Sequence, residues 1–570
     1  MIAALLAIIA FWLCTATARS PPSNSSAARC SKDRFRLPHI KGLALLSIEA
    51  QLESLFPPVT DQSIRVGCFC MVSINVTHYD VDDNVFMKIG LPMSWEWHGR
   101  FQAQGGGNLA TGNFDHGTAL FAGWAVGSTD GGHQSADWHD ASWTLHEDGT
   151  INWNLLENFA YRSVAELIVI GKAIVEQYYG KKPHHTYWSG CSTGGRQGYT
   201  IAQRSPGLVD GILATAPAIG FVRLLTAGFW PQLLMRTRNI FMSNCELEFV
   251  RQKAIEHCDV LDKVCDGILE DPEQCDFDPW TLVGEVISCP SDTPVYFTQD
   301  MAQLVADFRQ GPKLRLGSNV PSGLAYGIPW TTLANISTTD GVRSIAPHLA
   351  SASWLQNVML RNPNYTLTNL DETTWSTLFS QSMYEFGSLL NADNPDLSTL
   401  RDSGTKLMTW HGLDDEMIPV QNTIDYRKRV ESIMGGPREV DKYYRLFLAP
   451  GVEHCVPDGK GPYPKDALKA LVDWVERDIP PKILAAERPC DYSNPKQNHT
   501  IICRDPLQTR DLCLWPAKQV YVGGNPQHAL SWACADSTPT NKTFETIKHA
   551  QPDSARLAVA ELMAGNTMTL

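Results

Sequence analysis

The pentapeptide Gly190-Cys191-Ser192-Thr193-Gly194 matches the pattern G-x-S-x-G, which holds a serine on a tight turn between a strand and a helix. Such a turn exposes the hydroxyl, and the small neighbours let the two backbones approach closely. The helix that follows directs its N-terminal N–H groups at the oxyanion formed by attack on a carbonyl. Residues 186–189 are predicted to form a strand and residues 195–204 a helix. We therefore predict that Ser192 is a nucleophile.

A serine nucleophile needs an acid that orients its base. In the α/β-hydrolase fold the chain order is serine, acid, histidine, and the acid follows a strand. The segment from His411 to Asp415 follows a predicted strand at residues 406–410 and offers two adjacent carboxylates. We predict Asp415 as the acid, because it is the fifth residue of an H-G-x-x-D loop, with Asp414 as the alternative.

The base is expected in a loop after the next strand, which is predicted at residues 443–448. His454 lies there, so we predict that it is the general base. The other candidates are His184, His185 and His411, and His411 is expected to position the acid loop.

Cysteines flank both predicted catalytic residues. Cys191 precedes Ser192 and Cys455 follows His454. If serine and histidine are hydrogen-bonded, their neighbours approach the Cα separation of a disulfide, about 4.4–6.8 Å. We predict a Cys191–Cys455 bond that joins the two loops.

The oxyanion needs two backbone N–H donors. One is expected at Thr193, directly after the nucleophile. The second is expected in the glycine-rich loop at residues 105–108, at Gly106 or Gly107.

Residues 258–268 contain acids at offsets 0, 3 and 7, followed by a glycine. Calcium prefers carboxylates and backbone carbonyls in a turning chain. Asp259, Asp262 and Asp266 are candidate carboxylate ligands, and Val264 and Ile268 are candidate carbonyl ligands. The same offsets also describe one face of a solvated helix, so the pattern alone leaves both interpretations open.

Helices and strands alternate in the segments around these residues. A helix at 158–179 and strands at 186–189 and 211–215 predict a parallel sheet. This alternation of helices and strands stops after residue 220 and resumes at residue 406. We therefore predict an α/β-hydrolase catalytic domain formed by residues 19–220 and 405–570, with an inserted lid domain at residues 221–404 that carries the calcium-like loop.

Composition limits the class of protein. The chain has 570 residues, of which 43% are hydrophobic and 19% charged, and its net charge is −14. This composition is typical of globular domains and not of disordered chains. The acidic balance argues against binding to nucleic acid and to anionic membranes.

The N-terminus and the cysteines predict an extracellular location. Residues 2–14 are apolar and precede the small-x-small triplet Ala16-Thr17-Ala18. Residues 1–18 are therefore predicted to be a signal peptide. The segment departs from the usual pattern in one respect, because no Lys or Arg precedes the apolar run. The chain has 15 cysteines, and removal of Cys14 with the signal peptide leaves 14, an even number that an oxidising compartment would pair. Predicted N-glycosylation sites occur at Asn24, Asn75, Asn335, Asn364, Asn498 and Asn541.

Taken together, these motifs resemble the fungal tannase and feruloyl esterase family over nearly the whole mature chain. Cys191-Ser192 and His454-Cys455 match its disulfide-linked nucleophile and base, and Asp415 matches its acid. The pattern C-D-x-x-D-x-x-x-D-G matches its calcium loop, which implies a structural Ca²⁺ held by Asp259, Asp262, Val264, Asp266 and Ile268. Two residues depart from the family pattern: Asp414 replaces a small residue, and Cys265 stands in the calcium loop, where its pairing with Cys245 or Cys289 stays open.

The resemblance also implies disulfides Cys258–Cys275, Cys513–Cys534 and Cys490–Cys503. It implies a secreted serine esterase acting on small or polysaccharide-linked esters of ferulic, coumaric, caffeic or gallic acid. The alternatives are an esterase of the same fold that acts on a secondary-metabolite ester, and a catalytically inactive binding glycoprotein. The intact set of Ser192, Asp415 and His454 argues against the inactive protein. The sequence predicts no oligomeric state.

Overall fold

The computed structural model describes residues 29–55, 67–133, 137–289, 294–312, 323–455, 459–488 and 507–535. The strands in these residues are β1 (Leu43–Leu55), β2 (Gly67–His78), β3 (Val85–Pro92), β4 (Arg100–Gln104), β5 (Ala125–Thr129), β6 (His185–Cys191), β7 (Gly211–Thr215), β8 (Val286–Ile287), β9 (Val295–Tyr296), β10 (Ile336–Thr339), β11 (Val342–Ile345), β12 (Lys406–Gly412), β13 (Tyr444–Ala449), β14 (Ile483–Arg488), β15 (Gln508–Cys513), β16 (Lys518–Tyr521) and β17 (Trp532–Ala535).

The α-helices in the same residues are α1 (Gly117–Phe121), α2 (Trp153–Ala160), α3 (Arg162–Tyr179), α4 (Thr193–Arg204), α5 (Phe221–Ala227), α6 (Trp230–Arg238), α7 (Asn244–Cys258), α8 (Gln299–Gln310), α9 (Thr331–Ala334), α10 (Leu349–Ser353), α11 (Glu372–Leu390), α12 (Ser398–Ser403), α13 (Gln421–Ile433), α14 (Pro437–Val440) and α15 (Ala467–Arg477). None of the helices in the described part of the chain is long and apolar enough to span a membrane.

A nine-stranded mixed sheet forms the centre, in the order β1-β2-β3-β5-β4-β6-β7-β12-β13. The pairs β1/β2, β2/β3 and β3/β5 are antiparallel, and the remaining pairs are parallel. Strand β7 is buried along its whole length, as expected for a parallel strand covered on both faces. This is the predicted α/β-hydrolase architecture, and it brings the carboxyl ends of β6, β12 and β13 to one edge.

The predicted helix at residues 158–179 is interrupted in the structure. Helix α2 ends at Ala160 and α3 begins at Arg162, because Tyr161 between them has an extended φ of −160°. Helix α3 ends at Gly180, whose φ of 75° is left-handed and favours glycine. The apolar periodicity therefore predicts the helical segment but does not indicate the break at Tyr161.

Residues 221–404 add no strand to the central sheet among the residues described. They form two apolar clusters. One includes Phe221, Leu225 and Trp354 and also takes in Leu109 and Phe159 from the catalytic part, so this cluster lies against the region around the nucleophile. The second includes Leu247 and Trp330. That residues 221–404 form a separate lid domain stays a prediction.

Candidate active site

Ser192 occupies a strained turn between β6 and α4. Its φ of 62° and ψ of −120° are unusual for a residue with a side chain. The turn is held by Ser192 N–H, which donates to the Thr215 carbonyl at 3.1 Å, and by Ala218 N–H, which donates to the Ser192 carbonyl at 3.1 Å. A Cβ on Gly190 would lie 2.6 Å from the backbone of Gly194, so this turn requires glycine there.

Asp415 faces the predicted base. Its Oδ2 lies 2.7 Å from His454 Nδ1, and its Oδ1 accepts N–H bonds from Met417 at 3.0 Å and Ile418 at 2.7 Å. Burial alone would raise the pKa of Asp415, but the charge of His454 and the side-chain hydrogen bonds to His411 and His454 hold it well below its usual value. The carboxylate is therefore ionised and can orient His454 through Nδ1, which leaves Nε2 for the nucleophile.

Asp414 points elsewhere. Its Oδ1 is buried without a hydrogen-bond partner in the described structure, and burial raises the pKa of Asp414 to about 6. Its own N–H donates to the Val452 carbonyl at 3.1 Å. Of the two carboxylates that the sequence offers, the geometry favours Asp415 as the partner of His454.

The other candidate histidines do not face Ser192. His411 is fully buried, with Nε2 at 3.0 Å from Asp415 Oδ2 and Nδ1 at 2.9 Å from Thr423 Oγ1, so it holds the acid in place. His184 and His185 lie at the opposite end of β6, about 20 Å from the nucleophile at the usual rise per residue.

Glu416 is a neighbour of the base that sequence reasoning missed. Its Oε2 accepts the backbone N–H of His454 at 3.1 Å. Burial lowers the pKa of His454, but the charges of Asp415 and Glu416 outweigh it, and the pKa is raised overall. Position next to Asp415 was the only sequence feature that pointed to Glu416.

The predicted Cys191–Cys455 disulfide is present, with a Cα–Cα distance of 5.9 Å. It joins the residue before Ser192 to the residue after His454. The disulfide therefore holds the nucleophile turn and the base loop together across 264 residues of chain.

The glycine-rich loop lies against the start of α4. Gly106 carbonyl accepts Gly194 N–H at 2.9 Å, and Asn108 carbonyl accepts the Thr193 hydroxyl. The N–H of Gly106 is already donated to Gln197 Oε1 at 3.2 Å. Of the two glycines predicted as oxyanion donors, Gly107 is therefore the better candidate beside Thr193.

A cavity adjoins the nucleophile, and its lining combines the elbow, the acid loop and residues 221–404. It is lined by Asn108, Ser192, Thr193, Ala218, Phe221, Leu224, Leu225, Gly228, Leu333, His348, Ser351, Met417 and Ile418. A larger cavity of about 350 Å³ lies behind the acid loop, but neither Ser192 nor His454 lines it. The smaller cavity is therefore the candidate binding site for a substrate that reacts at Ser192.

The calcium-like loop is not a helix face. Helix α7 ends at Cys258, a short 3₁₀ turn covers Asp259–Asp262, and Lys263 has a left-handed φ of 74°. Loop N–H groups donate to the three carboxylates: Gly267 to Asp259, Val264 to Asp262, and Ile268 to Asp266.

The three carboxylates of the loop disfavour one another's ionised forms. Burial raises the pKa of Asp262 to about 6, and the charges of Asp266 and Asp259 add to the effect. Asp266 Oδ2 is buried and accepts no hydrogen bond in the described structure, but it lies 3.6 Å from Nη2 of Arg510. Among the described residues, the group whose three ligand atoms lie within 4.8 Å of one another is His257, Cys258 and Asp276, and not the three loop aspartates; in that group Cys258 is disulfide-bonded to Cys275.

The remaining cysteines settle several open pairings. Cys258–Cys275 and Cys513–Cys534 are bonded as predicted. Cys245 pairs with Cys289, so Cys265 pairs with neither and is free and exposed. A further disulfide joins Cys30 and Cys70. Cys490 and Cys503 lie outside the described residues.

The predicted glycosylation sites differ in exposure. Asn364 is exposed, whereas Asn75 and Asn335 are half-buried. The side-chain amide of Asn75 donates to Ser47 Oγ at 2.9 Å on the neighbouring strand. Asn24, Asn498 and Asn541 lie outside the described residues, as does the predicted signal peptide at residues 1–18.

Comparison with known proteins gives one consistent result. The sequence profile of a family described as "Tannase and feruloyl esterase" matches residues 70–535. A probable feruloyl esterase of Arthroderma benhamiae is 39% identical over 506 residues, which cover 88% of this chain and 92% of the relative. A tannase of Aspergillus oryzae is 26% identical over 525 residues, which cover 82% and 87%.

Solved structures with the same fold include a tannin acyl hydrolase from Aspergillus niger, with a TM-score of 0.78 and 24% identity, covering 90% of this chain and 96% of that one. Feruloyl esterase B from Aspergillus oryzae has a TM-score of 0.73 and 23% identity, covering 90% and 100%.

Proposed function

The chain belongs to the tannase and feruloyl esterase family and is a carboxylic ester hydrolase, and we propose that it cleaves esters of hydroxylated aromatic acids through Ser192, His454 and Asp415. One observation carries the assignment of these residues. The Cys191–Cys455 disulfide joins the neighbour of Ser192 to the neighbour of His454, and Nδ1 of His454 is bound by Asp415.

In the first half of the reaction, His454 Nε2 takes the proton of Ser192 Oγ as that oxygen attacks the ester carbonyl. The N–H groups of Thr193 and Gly107 hold the tetrahedral oxyanion. Its collapse breaks the ester bond, and the leaving alcohol receives the proton from His454.

In the second half, His454 takes a proton from a water molecule as its oxygen attacks the acyl-enzyme carbonyl. The bond between the acyl carbon and Ser192 Oγ then breaks, His454 returns the proton to Oγ, and the carboxylic acid is released. Asp415 stabilises the imidazolium form of His454 at both stages and keeps its Nδ1 protonated. The strained backbone at Ser192 keeps the hydroxyl exposed to both the ester and the base.

The cavity at Ser192 supports an aromatic acyl group. Its walls are mainly apolar, with Phe221, Leu225 and Ile418 among the buried side chains. A flat ring buried there would replace water on these surfaces, which is favourable by about 25 cal/mol per Å² of apolar area. The names of the relatives support ferulic or gallic acid as the acyl group.

The test compares initial rates on methyl ferulate, methyl caffeate, methyl p-coumarate and methyl gallate for the wild type and Ser192→Ala. Ser380→Ala is the matched control, because Ser380 is exposed on α11 and bonds only its own helix at Ser376. We expect Ser192→Ala to lose hydrolysis and Ser380→Ala to keep it. Full activity in Ser192→Ala would refute the assigned nucleophile.

The substrate profile separates the candidate activities. A preference for the cinnamates indicates a feruloyl esterase, and a preference for gallate indicates a tannase. If none of the four is cleaved while Ser192 still reacts with a serine-directed phosphonate, the aromatic ester is refuted and a secondary-metabolite ester becomes the favoured substrate.

We also propose a structural Ca²⁺ held by Asp259, Asp262 and Asp266, with the carbonyls of Val264 and Ile268. The turning chain of the loop and the mutual repulsion of its carboxylates support this proposal. The ion would neutralise facing carboxylates and fix the loop beside the Cys258–Cys275 bond. It takes no part in ester cleavage.

Finally, we propose that the chain is a secreted glycoprotein. The disulfides described above support this location, because such bonds persist in oxidising compartments. Asn364 is the best-exposed acceptor among the described sequons. Mass spectrometry of the secreted protein, before and after removal of N-glycans, tests both the cleavage after residue 18 and the modification.

A further inference from the structure

His348 lines the cavity at Ser192 and carries a polar atom that is not used elsewhere. The residue directly precedes α10, in the segment predicted to be the lid, and lines the cavity together with Ser192 and Thr193. Its Nε2 is buried and has no hydrogen-bond partner in the described part of the protein. Its Nδ1 lies 3.3 Å from Ser351 Oγ.

The position of His348 is well supported. Its ring packs edge-on against His139, with 6.1 Å between ring centroids, and His139 Nδ1 lies 2.8 Å from Asp137 Oδ1. Ser353 Oγ accepts the Ala141 N–H at 2.7 Å, which ties α10 to the same loop. The imidazole is therefore held by its surroundings without any partner for Nε2.

His348 is neutral under the conditions in which the enzyme would work. Burial lowers its pKa to about 4, and the charges of His139 and His454 act in the same direction. A neutral imidazole has one donor nitrogen and one acceptor nitrogen. It can therefore bond a hydroxyl group without bringing a charge into an apolar cavity.

The cavity lies on the acyl side of the ester. The leaving alcohol must face His454, which protonates it, and His454 does not line this cavity. The cavity does include Ser192 and Thr193, and also Asn108, whose carbonyl accepts the Thr193 hydroxyl. The group that extends into it toward His348 is therefore the acyl group.

We propose that His348 is a specificity-determining residue whose Nε2 hydrogen-bonds a hydroxyl group on the ring of the acyl moiety. The assignment rests on the proposed function and extends it to one residue. An unsatisfied buried polar atom disfavours an acyl group that lacks the matching hydroxyl, so the residue discriminates between substrates.

The experiment uses two esters that differ by a single hydroxyl, methyl p-coumarate and methyl cinnamate. His348→Phe keeps a ring but removes both nitrogens, and His348→Gln restores a polar end at a similar reach. His528→Phe is the matched control, because His528 is exposed and outside the cavity. Hydrolysis of p-nitrophenyl acetate reports the catalytic machinery, since its acyl group carries no hydroxyl group for His348 to bond.

We expect the wild type to prefer p-coumarate. His348→Phe is expected to lower the ratio of the two kcat/KM values by about tenfold or more. His348→Gln is expected to recover part of the ratio, and His528→Phe to leave it unchanged. All the variants are expected to cleave p-nitrophenyl acetate at rates close to the wild type.

Three results would overturn the proposal. An unchanged ratio in His348→Phe would show that Nε2 does not read the hydroxyl. Equal losses on all three esters would assign His348 a structural role. If the wild type cleaves neither cinnamate while Ser192 still reacts with a phosphonate, the aromatic substrate itself is refuted, and the role of His348 with it.

Discussion

Removing the Cys191–Cys455 disulfide tests whether this bond positions the site. The perturbation is the double variant Cys191→Ala/Cys455→Ala. In the chain-entropy model the bond stabilises by restricting the unfolded chain. It closes 264 residue steps, and the nested Cys245–Cys289 bond, which spans 44, shortens the effective loop to about 220. The model then gives about 5 kcal/mol.

The same variant should lose activity even where it is folded. The disulfide joins residues adjacent to Ser192 and His454, so its loss lets the two loops separate. A displacement of about 1 Å between reacting groups costs on the order of 100-fold in rate. We therefore expect a fall in kcat of that order at a temperature and urea concentration where tryptophan fluorescence reports a folded protein.

The matched control is Cys30→Ala/Cys70→Ala. This bond closes 40 residue steps, for which the model gives about 4 kcal/mol, and Cys70 lies in β2, far from β6 in the sheet order. Urea denaturation measures both stability losses, and initial rates measure kcat. If the control loses as much kcat as the Cys191/Cys455 variant, or if the latter keeps full kcat, the positioning role is refuted.

Three further predictions concern the acid loop and the cation. Asp415→Asn should lower kcat by about 10⁴-fold, because His454 loses its orienting carboxylate, whereas Asp414→Asn should leave kcat close to the wild type; equal losses would contradict the choice between them. The raised pKa of His454 means that activity is present above this pKa and is lost as pH falls through it. Glu416→Gln removes one charge that raises this pKa, so the acid limb of kcat/KM should move to lower pH, and an unmoved limb would contradict the coupling. Removal of Ca²⁺ with EDTA should lower the melting temperature, by the equivalent of about 3 kcal/mol when the ion had been present at 100 times its Kd, and Asp262→Asn should abolish the response; an identical response in that variant would exclude this site.

Local patterns were sufficient for much of this protein. The strand–turn–helix around Ser192, the strands before Asp415 and His454, and the chain order of the three residues can all be read from short segments. Apolar periodicity and turn residues depend on contacts within a few positions, so the sequence reports them directly. The disulfide next to the nucleophile was also predictable, because it follows from the expected contact between serine and histidine.

Only the tertiary structure determined in which direction side chains and backbone N–H groups point. Asp414 and Asp415 are neighbours of the same chemical type, and only the path of the loop turns Asp415 toward His454. Gly106 and Gly107 are equally permissive residues, and only the approach of Gln197 distinguishes them.

The contribution of His348 depends on folding at a still longer range. The residue is 156 positions from Ser192 in a segment without a recognisable motif, and packing alone brings it to the nucleophile's cavity. A sequence determines which groups are available through their chemistry and local spacing. Which of them meet is set by contacts between distant segments, whose pairing no local pattern encodes.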